Sequence, residues 1–197
     1  MKYYLDITLL PDAEANLGFL WQKVYQQVHI ALVENKTAEN QSAIAVSFPK
    51  YGDKQFPLGD KLRLFANEQD ELKNFNIEKW LSRLLDYTHI KPIKEVPVTV
   101  NQFACFKRKQ FKSNLLKEAQ RRAKYKGESI EAALEHFKNY QTKIDLPFIN
   151  MSSLSMGDDA SLNRKFKLFI ERKVVNEQVL GVFNCYGLSK AATTPWF

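Results

Sequence analysis

Two spacings of apolar residues divide the start of this chain into a strand and a helix. Residues 3–10, YYLDITLL, alternate in the manner of a half-buried strand, which Pro11 and Asp12 end. Helical spacing then continues to about residue 34 and predicts a long amphipathic helix. The apolar face of that helix consists of Leu17, Leu20, Trp21, Val24, Val28, Ala31 and Leu32.

Strands and helices continue to alternate through the rest of the first half. The patterns predict strands at 42–51 and 61–67, a helix from about 68 to 86, and another strand within 94–110. The resulting order, βαββαβ, is that of a ferredoxin-like or RRM-like domain. Because no RNP1 motif is present, we do not expect RNA bases to stack on the sheet as they do in ordinary RRM domains.

The second half of the chain predicts helices first and strands afterwards. This change of pattern places a domain boundary near residue 97. The prediction is an α+β protein, with a ferredoxin-like N-terminal domain over 1–97 and a C-terminal domain over 98–197 that carries a basic helix and a β-hairpin. The elements predicted in the C-terminal domain are helices at 113–127 and 129–140, then strands at 146–153, 164–175 and 179–188, with an exposed loop at 157–165.

Positive charge is concentrated in one segment, residues 101–126. The whole chain carries a formal charge of +7, whereas this segment holds nine basic residues and one acid, so it sums to 9 − 1 = +8. The remainder is nearly neutral, at 7 − 8 = −1. Such a concentration favours a polyanion as ligand, and the interleaved amide and aromatic side chains favour nucleic acid. The basic residues are Lys107, Arg108, Lys109, Lys112, Lys117, Arg121, Arg122, Lys124 and Lys126.

Water and a membrane surface are the two alternatives to nucleic acid as the surroundings of the helix at 113–127. Most charge runs belong to solvated surface helices, but the near-neutral remainder of the chain counts against that interpretation here. A membrane surface is also a polyanion, but the apolar face of this helix lacks large apolar side chains. Nucleic acid is therefore the favoured ligand. The apolar face in question consists of Leu115, Leu116, Ala119 and Ala123.

Composition excludes several other classes of protein. An apolar content of 45% with 26% charged residues is ordinary for a globular protein. No apolar run approaches the ~18 residues of a membrane-spanning helix. Cys105 and Cys185 lack the spacing of metal ligands, and the N-terminus lacks the apolar core of a signal peptide. We therefore expect a cytoplasmic protein with reduced cysteines.

The residues available for catalysis favour chemistry on RNA without a metal. No clustered His, Cys or Asp motif predicts a metal site and no Gly-rich phosphate loop is present, so we expect no metal and no cofactor. RNA permits such a reaction because its own 2′-OH can attack the adjacent phosphate once a base removes the proton. Histidine suits the role of base, although each of His29, His89 and His136 taken alone is more often structural than catalytic.

Short pieces of sequence along nearly the whole chain match one known family in order. They are YYLDI and LLPD at the start, VH and ALV around His29, VSFP at 46–49, KSN before the basic helix, DLPF at 145–148, FKLFI at 166–170 and CYGLSKAATTPWF at the end. No single piece is decisive, but together they strongly resemble the subtype I-F CRISPR repeat-processing endoribonucleases, the Csy-type RNases. That family combines a ferredoxin-like N-terminal domain with a C-terminal region that carries a basic helix, in agreement with the pattern above.

The resemblance implies a catalytic group of three residues. His29 matches the histidine proposed as the general base that deprotonates the attacking 2′-OH. Ser153 matches a serine that would hold that 2′-OH, and Tyr186 matches a tyrosine that would orient the histidine or the ribose. Without the resemblance, Ser153 and Tyr186 would be interpreted as an ordinary strand hydroxyl and a core aromatic.

The resemblance also implies a set of RNA contacts. Arg108 and Gln110 match a pair that reads base edges near the foot of the RNA stem, and Phe166 matches an aromatic that stacks on the last base pair. The basic helix would enter the major groove of the hairpin. The remaining RNA-binding residues are Lys112, Lys117, Arg121, Arg122 and Lys124, with Ser155 as a further phosphate or sugar contact.

The activity implied is metal-independent cleavage of CRISPR precursor RNA at the 3′ side of each repeat hairpin, giving 2′,3′-cyclic phosphate and 5′-OH ends. The protein would stay bound to its product, as a monomer on the RNA, and join the other subunits of the type I-F crRNA surveillance complex. Two alternatives stay open. One is a subunit that caps the crRNA hairpin without cleaving it, and the other is a non-specific nucleic-acid binder. Only cleavage requires His29.

Overall fold

The computed structural model of the chain describes residues 1–111, 115–139, 145–153 and 165–197. Two of the predicted RNA-binding residues, Lys112 and Ser155, lie outside the described residues, as does almost all of the predicted loop at 157–165.

An antiparallel sheet forms the centre of the N-terminal half. Its order is β2 (Ala45–Ser47), β3 (Lys61–Ala66), β1 (Tyr3–Leu9) and β4 (Thr88–Ile90), and β5 (Lys94–Glu95) pairs with the other end of β1. The first strand therefore lies between the third and the fourth, with the second outside the third. This order and the intervening helices confirm the predicted ferredoxin-like topology.

Helix α1 (Leu17–Glu34) supplies much of the core of this half. Asn16 caps it, because its side-chain oxygen accepts a hydrogen bond from the backbone N–H of Phe19 at 3.0 Å. The predicted apolar face is confirmed, and Tyr25 joins it as a fully buried residue. The same buried cluster includes Phe106, Ile149 and Leu168 of the C-terminal half, so α1 touches more than its own sheet.

The single helix predicted from about 68 to 86 is wrong, because the chain breaks after Phe75. It forms α2 (Gln69–Phe75), α3 (Ile77–Trp80) and a 3₁₀ helix (Ser82–Tyr87). The break lies at Asn76, whose φ of 43° is left-handed, a conformation that asparagine adopts more readily than most residues. The last turn leads directly into β4, which carries His89.

A second antiparallel sheet forms in the C-terminal half, with the order β7 (Phe148–Ser152), β8 (Lys165–Val175), β6 (Phe103–Lys109) and β9 (Thr194–Pro195). The predicted β-hairpin is confirmed as the β7–β8 pair. The range 94–110, predicted to contain one strand, holds two: β5 pairs with β1 in the first sheet, whereas β6 belongs to the second sheet. The fourth strand of the ferredoxin-like order is β4, which lies before that range. The strand predicted at 179–188 is also wrong: Phe183 makes an isolated bridge with Ser42, and a turn follows.

The chain divides into two compact units. We call Met1–Arg108 with Pro147–Phe197 the first unit, and Lys109–Leu146 the second unit. The second unit contains α4 (Leu115–Lys126) and α5 (Ile130–Asn139). The predicted boundary of folding domains near residue 97 stays a prediction.

Helix α4 packs on α5 through small side chains. Ala119 and Ala123 of α4 are buried with Ala133 of α5, as the apolar face predicts. Leu116 belongs to the same predicted face, but 51% of it is exposed. Gly127 ends α4 with a φ of +67°, and its N–H bonds the carbonyl of Ala123. Within the described residues, no helix has the length and apolar character needed to cross a membrane.

Candidate active site around His29

The imidazole of His29 is held by a backbone carbonyl from the far end of the chain. Its Nδ1 lies 2.7 Å from the oxygen of Cys185, 156 residues away in sequence. A carbonyl can only accept a hydrogen bond, so Nδ1 must carry the proton. In the neutral ring, Nε2 is then left with a lone pair and can accept a proton from another group.

The ring of His29 also lies flat against the ring of Tyr186. Their centroids are 4.1 Å apart and their planes differ by 4°. Tyr25, one helical turn before His29, donates its hydroxyl hydrogen to the backbone oxygen of Tyr186 at 2.7 Å. Helix α1 therefore holds both the side chain and the backbone of Tyr186, and Tyr186 in turn restricts the rotation of the imidazole.

A tight turn after Phe183 presents these two groups to α1. The side-chain oxygen of Asn184 accepts the N–H of Tyr186 at 2.8 Å and the N–H of Leu188 at 3.3 Å. Gly187 has a φ of +69° and lies so close to Val46 that an added Cβ would be 2.3 Å from its side chain. The N–H of Val46 donates to the oxygen of Gly187 at 2.8 Å, which ties the turn to β2.

Arg108 and Phe166 lie beside the same pair of rings. The guanidinium carbon of Arg108 is 5.1 Å from the ring centre of Tyr186 and 5.2 Å from that of Phe166. Strands β6 and β8 are neighbours in the second sheet and bring the two residues together. The Nε of Arg108 is buried without a hydrogen-bond partner in the described part of the chain. A buried unpaired donor is costly and often marks the place where a ligand completes the hydrogen bond.

The environment keeps His29 neutral. Burial lowers the pKa of the imidazole below its usual value of 6.5, and the positive charge of Arg108 lowers it further. The hydrogen bond to Cys185 raises the pKa, but its effect is smaller than that of burial. Because the pKa lies below 6.5, His29 is unprotonated at Nε2 at neutral pH and can act there as a base.

Ser153 follows directly after β7, which α1 holds through Gln26. The side-chain nitrogen of Gln26 donates to the oxygen of Ser152 at 3.2 Å, and the N–H of Ser152 donates to the side-chain oxygen of Gln26 at 3.0 Å. This reciprocal pair fixes the peptide group that leads into Ser153. Since Gln26 and His29 are three residues apart, they lie on one face of α1, and the strand end that carries Ser153 docks on that face.

The predicted cations of the basic helix lie in the second unit. Lys117, Arg121 and Lys124 are exposed on α4, as is Gln110 before it. Arg121 makes a weak surface ion pair with Glu118 at 3.4 Å. Arg122 is less exposed and is paired with Glu128, so it must leave that carboxylate before it can contact a phosphate.

Among the predicted residues that are described, the first unit brings together His29, Tyr186, Arg108 and Phe166. Sequence reasoning missed the residues that support them, Asn184 and Gln26. A signal for Asn184 was present, because an asparagine shortly before a glycine is typical of a turn. Gln26 carried no signal, since a glutamine on the edge of a helix looks like a solvent-exposed residue.

Comparison with known proteins gives the same family over nearly the whole chain. Residues 4–197 match the family model described as CRISPR-associated protein (Cas_Csy4). A relative from Escherichia coli (strain UTI89 / UPEC), named CRISPR-associated endonuclease Cas6/Csy4, is 35% identical over all of both chains. A relative of the same name from Pseudomonas aeruginosa (strain UCBPP-PA14) is 33% identical, again over all of both chains.

Proposed function

Because this chain belongs to the Cas_Csy4 family of CRISPR-associated proteins, we propose that it is the endoribonuclease that cleaves CRISPR precursor RNA at the 3′ side of the repeat hairpin. The proposal rests on two observations. The chain belongs to a family in which its two relatives described above are named endonucleases, and the groups around His29 can carry out the chemistry. The observation that carries it is the hydrogen bond from Nδ1 of His29 to Cys185, which leaves Nε2 as a proton acceptor.

The reaction needs one proton removed and one bond exchanged. Nε2 of His29 takes the proton from the ribose 2′-OH, and the 2′-oxygen forms a bond to the adjacent phosphorus. The bond between phosphorus and the 5′-oxygen breaks, and that oxygen takes up a proton from solvent. The products carry a 2′,3′-cyclic phosphate and a 5′-OH. No metal is required, because the histidine supplies the base and the RNA supplies the nucleophile.

Ser153 and Tyr186 are the other proposed catalytic residues. Ser153 would hold the 2′-OH by a hydrogen bond, and its place next to the strand end docked by Gln26 supports that role. Tyr186 would keep the imidazole plane aligned with the ribose, and the parallel stacking of the two rings supports this. Alignment of this kind matters because catalysis depends on a reactive geometry being held before the reaction.

The RNA stem would be bound by two groups of residues. In the first unit, Arg108 would read a base edge at the foot of the stem with Phe166 stacked on the last base pair, and the unpaired Nε of Arg108 supports this. Gln110 would read a second base edge. The phosphates would be bound by Lys112, Lys117, Arg121, Arg122 and Lys124, with Ser155 as a further contact.

We further propose that the protein acts as a monomer on the RNA, stays bound to the product hairpin and enters the type I-F crRNA surveillance complex with its other subunits. Its expected location is the cytoplasm. These proposals rest on the resemblance to the subtype I-F family and are not needed for the cleavage chemistry.

The first experiment is cleavage of a subtype I-F repeat hairpin in EDTA by the parent protein, His29→Ala and His89→Ala. His89 is an exposed histidine on β4 and serves as the matched control. We expect the parent and His89→Ala to cleave and His29→Ala to bind without cleaving. A hairpin with a 2′-deoxy nucleotide at the cleavage site should bind equally well and stay intact, and end-group analysis should find the cyclic phosphate.

Three results would contradict parts of this proposal. Tight binding without cleavage by the parent would favour the capping subunit over the enzyme. Cleavage by His29→Ala would remove His29 from the role of base. Loss of parent cleavage in EDTA, restored by a divalent cation, would show that the reaction needs a metal.

A further inference from the structure

We propose that Asn184 is a positioning residue for His29 and acts through the peptide group between Cys185 and Tyr186. The inference rests on the proposed function, since it matters for cleavage only if His29 is the base. Asn184 does not touch the imidazole. It holds the group that does.

One peptide group makes both of the relevant hydrogen bonds. Its carbonyl oxygen, that of Cys185, accepts the proton on Nδ1 of His29 at 2.7 Å. Its N–H, that of Tyr186, donates to the side-chain oxygen of Asn184 at 2.8 Å. Because a peptide group is planar, fixing the N–H also fixes the direction of the carbonyl. Asn184 therefore determines where the acceptor for His29 points.

The two hydrogen bonds also strengthen each other. A peptide group that donates at its nitrogen becomes more polarised and accepts more strongly at its oxygen. A stronger bond at Nδ1 favours the tautomer with the proton at Nδ1, and this is the tautomer that leaves Nε2 free as a base. The side chain of Asn184 thereby stabilises the reactive form of His29 across one peptide unit.

The rest of the turn prevents the peptide group from finding another orientation. The oxygen of Tyr186, in the next peptide group, accepts the hydroxyl of Tyr25. The second bond to the oxygen of Asn184, from Leu188, closes the turn. Removal of the Asn184 oxygen therefore leaves two N–H groups of the turn without this acceptor, those of Tyr186 and Leu188, whereas the bond from Tyr25 to the oxygen of Tyr186 remains.

Asn184→Ala and Asn184→Asp test whether Asn184 orients the peptide group that accepts from His29 or only stabilises the turn. Alanine removes the acceptor. Aspartate keeps an oxygen of the same shape at the same place and adds a negative charge. The matched control is Asn40→Gly. The side-chain oxygen of Asn40 accepts the N–H of Cys185 at 3.4 Å, so it braces the same turn through a different peptide group. Glycine tolerates the φ of 52° at that position.

The readouts are the single-turnover cleavage rate against pH, the affinity for the 2′-deoxy hairpin, and the His29 tautomer by ¹⁵N NMR without RNA. We expect Asn184→Ala to lose roughly tenfold in rate, because the carbonyl that accepts from Nδ1 of His29 is held less firmly, with unchanged affinity. Its neutral imidazole should show a larger fraction of the Nε2–H tautomer. Asn40→Gly should keep the parental tautomer and rate.

Asn184→Asp should keep the parental tautomer and move the acidic limb of the rate profile to higher pH. The added carboxylate stabilises the imidazolium and raises the pKa of His29, so the neutral base is lost at a higher pH. Arg108 on β6, and Tyr186 and Cys185 on the turn, also bear on His29. They are the same in every variant compared.

Two results would overturn the inference. One is a folded Asn184→Ala with parental tautomer, rate and pH profile. The other is an Asn40→Gly variant with the same losses as Asn184→Ala, because any loosening of the turn would then suffice. If Asn184→Ala does not fold, Asn184→Asp decides: a His29 tautomer different from that of the parent, although the acceptor oxygen is kept, would count against the inference. The tautomer measurement needs no RNA, so its outcome does not depend on the proposed function. Failure of the proposed function would be recognised separately, by a parent protein that does not cleave.

Discussion

The surroundings of His29 and the surface of α4 are built from different kinds of interaction. His29 is half-buried, with one hydrogen bond to a backbone oxygen and a tyrosine ring stacked on its face. The cations of α4 are exposed and are carried by a helix that packs through alanines. The first region determines the position of one atom, whereas the second presents charge.

This difference follows from the work that each region is proposed to do. Proton transfer requires the base within hydrogen-bond distance of the 2′-OH, so small displacements reduce the rate. Attraction between cations and phosphates falls off slowly with distance and adds over many charges. The site around His29 should therefore be sensitive to its packing, and α4 mainly to its net charge.

The largest contrast is expected between alanine substitutions of two glycines that both have a left-handed φ. Gly187→Ala should lower the free energy of unfolding by about 2–5 kcal/mol, because backbone strain adds to a clash with Val46. It should also slow cleavage, since it moves the turn that carries Tyr186. Urea denaturation and single-turnover cleavage measure the two effects.

Gly127→Ala is the matched variant in the second unit. Nothing lies within 4 Å of its added Cβ, so only backbone strain of about 1 kcal/mol is expected. Equal losses of stability in the two variants would contradict the view that the turn near His29 is the more tightly packed region.

Arg108→Ala should affect both binding and the state of the base. Affinity for the cognate hairpin should fall by about 1–3 kcal/mol, with relaxed preference at the foot of the stem. Without RNA, the pKa of His29 should rise, since both the positive charge of Arg108 and part of the burial are lost. NMR titration of His29 and competition binding measure the two effects.

Arg172→Ala is the control for that variant, because Arg172 stacks on Tyr51 and Trp196 instead. It should leave the pKa of His29 unchanged. An equal loss of affinity on a scrambled stem after Arg108→Ala would argue against a base-reading role, and an unmoved pKa would argue against its effect on His29.

The smallest effect at any one salt concentration is expected for the double variant Lys117→Ala/Arg121→Ala. Removal of two phosphate contacts should reduce the slope of log K against log salt by about 2. The cleavage rate at saturating protein should stay unchanged, because neither residue touches the base. Lys54→Ala/Lys79→Ala removes the same charge from exposed positions of the first unit and should keep the parental slope. An unchanged slope in the α4 variant would place the RNA elsewhere.

Sequence patterns correctly predicted the elements in which apolar side chains recur at a clear helical or strand spacing. The buried face of α1 and the β7–β8 pair follow directly from such periods. The wrong predictions concern segments whose backbone conformation depends on contacts with residues distant in sequence. Asn76 interrupts a helical pattern by adopting a left-handed conformation. Among the described residues, the apolar stretch at 179–188 forms a single β-bridge, from Phe183 to Ser42. A strand needs a partner edge, and the sequence of one segment does not say whether an edge is free.

By itself, the sequence determined the ferredoxin-like order of elements, the concentration of positive charge, and, through resemblance, the candidate residues. Only the tertiary structure decided that the carbonyl of Cys185 meets Nδ1 of His29, and therefore which nitrogen can accept a proton. The reason is physical. Periodicity and charge are properties of neighbouring residues, whereas a hydrogen bond between residues 29 and 185 forms only after α1, β2 and the turn at Asn184 have packed together.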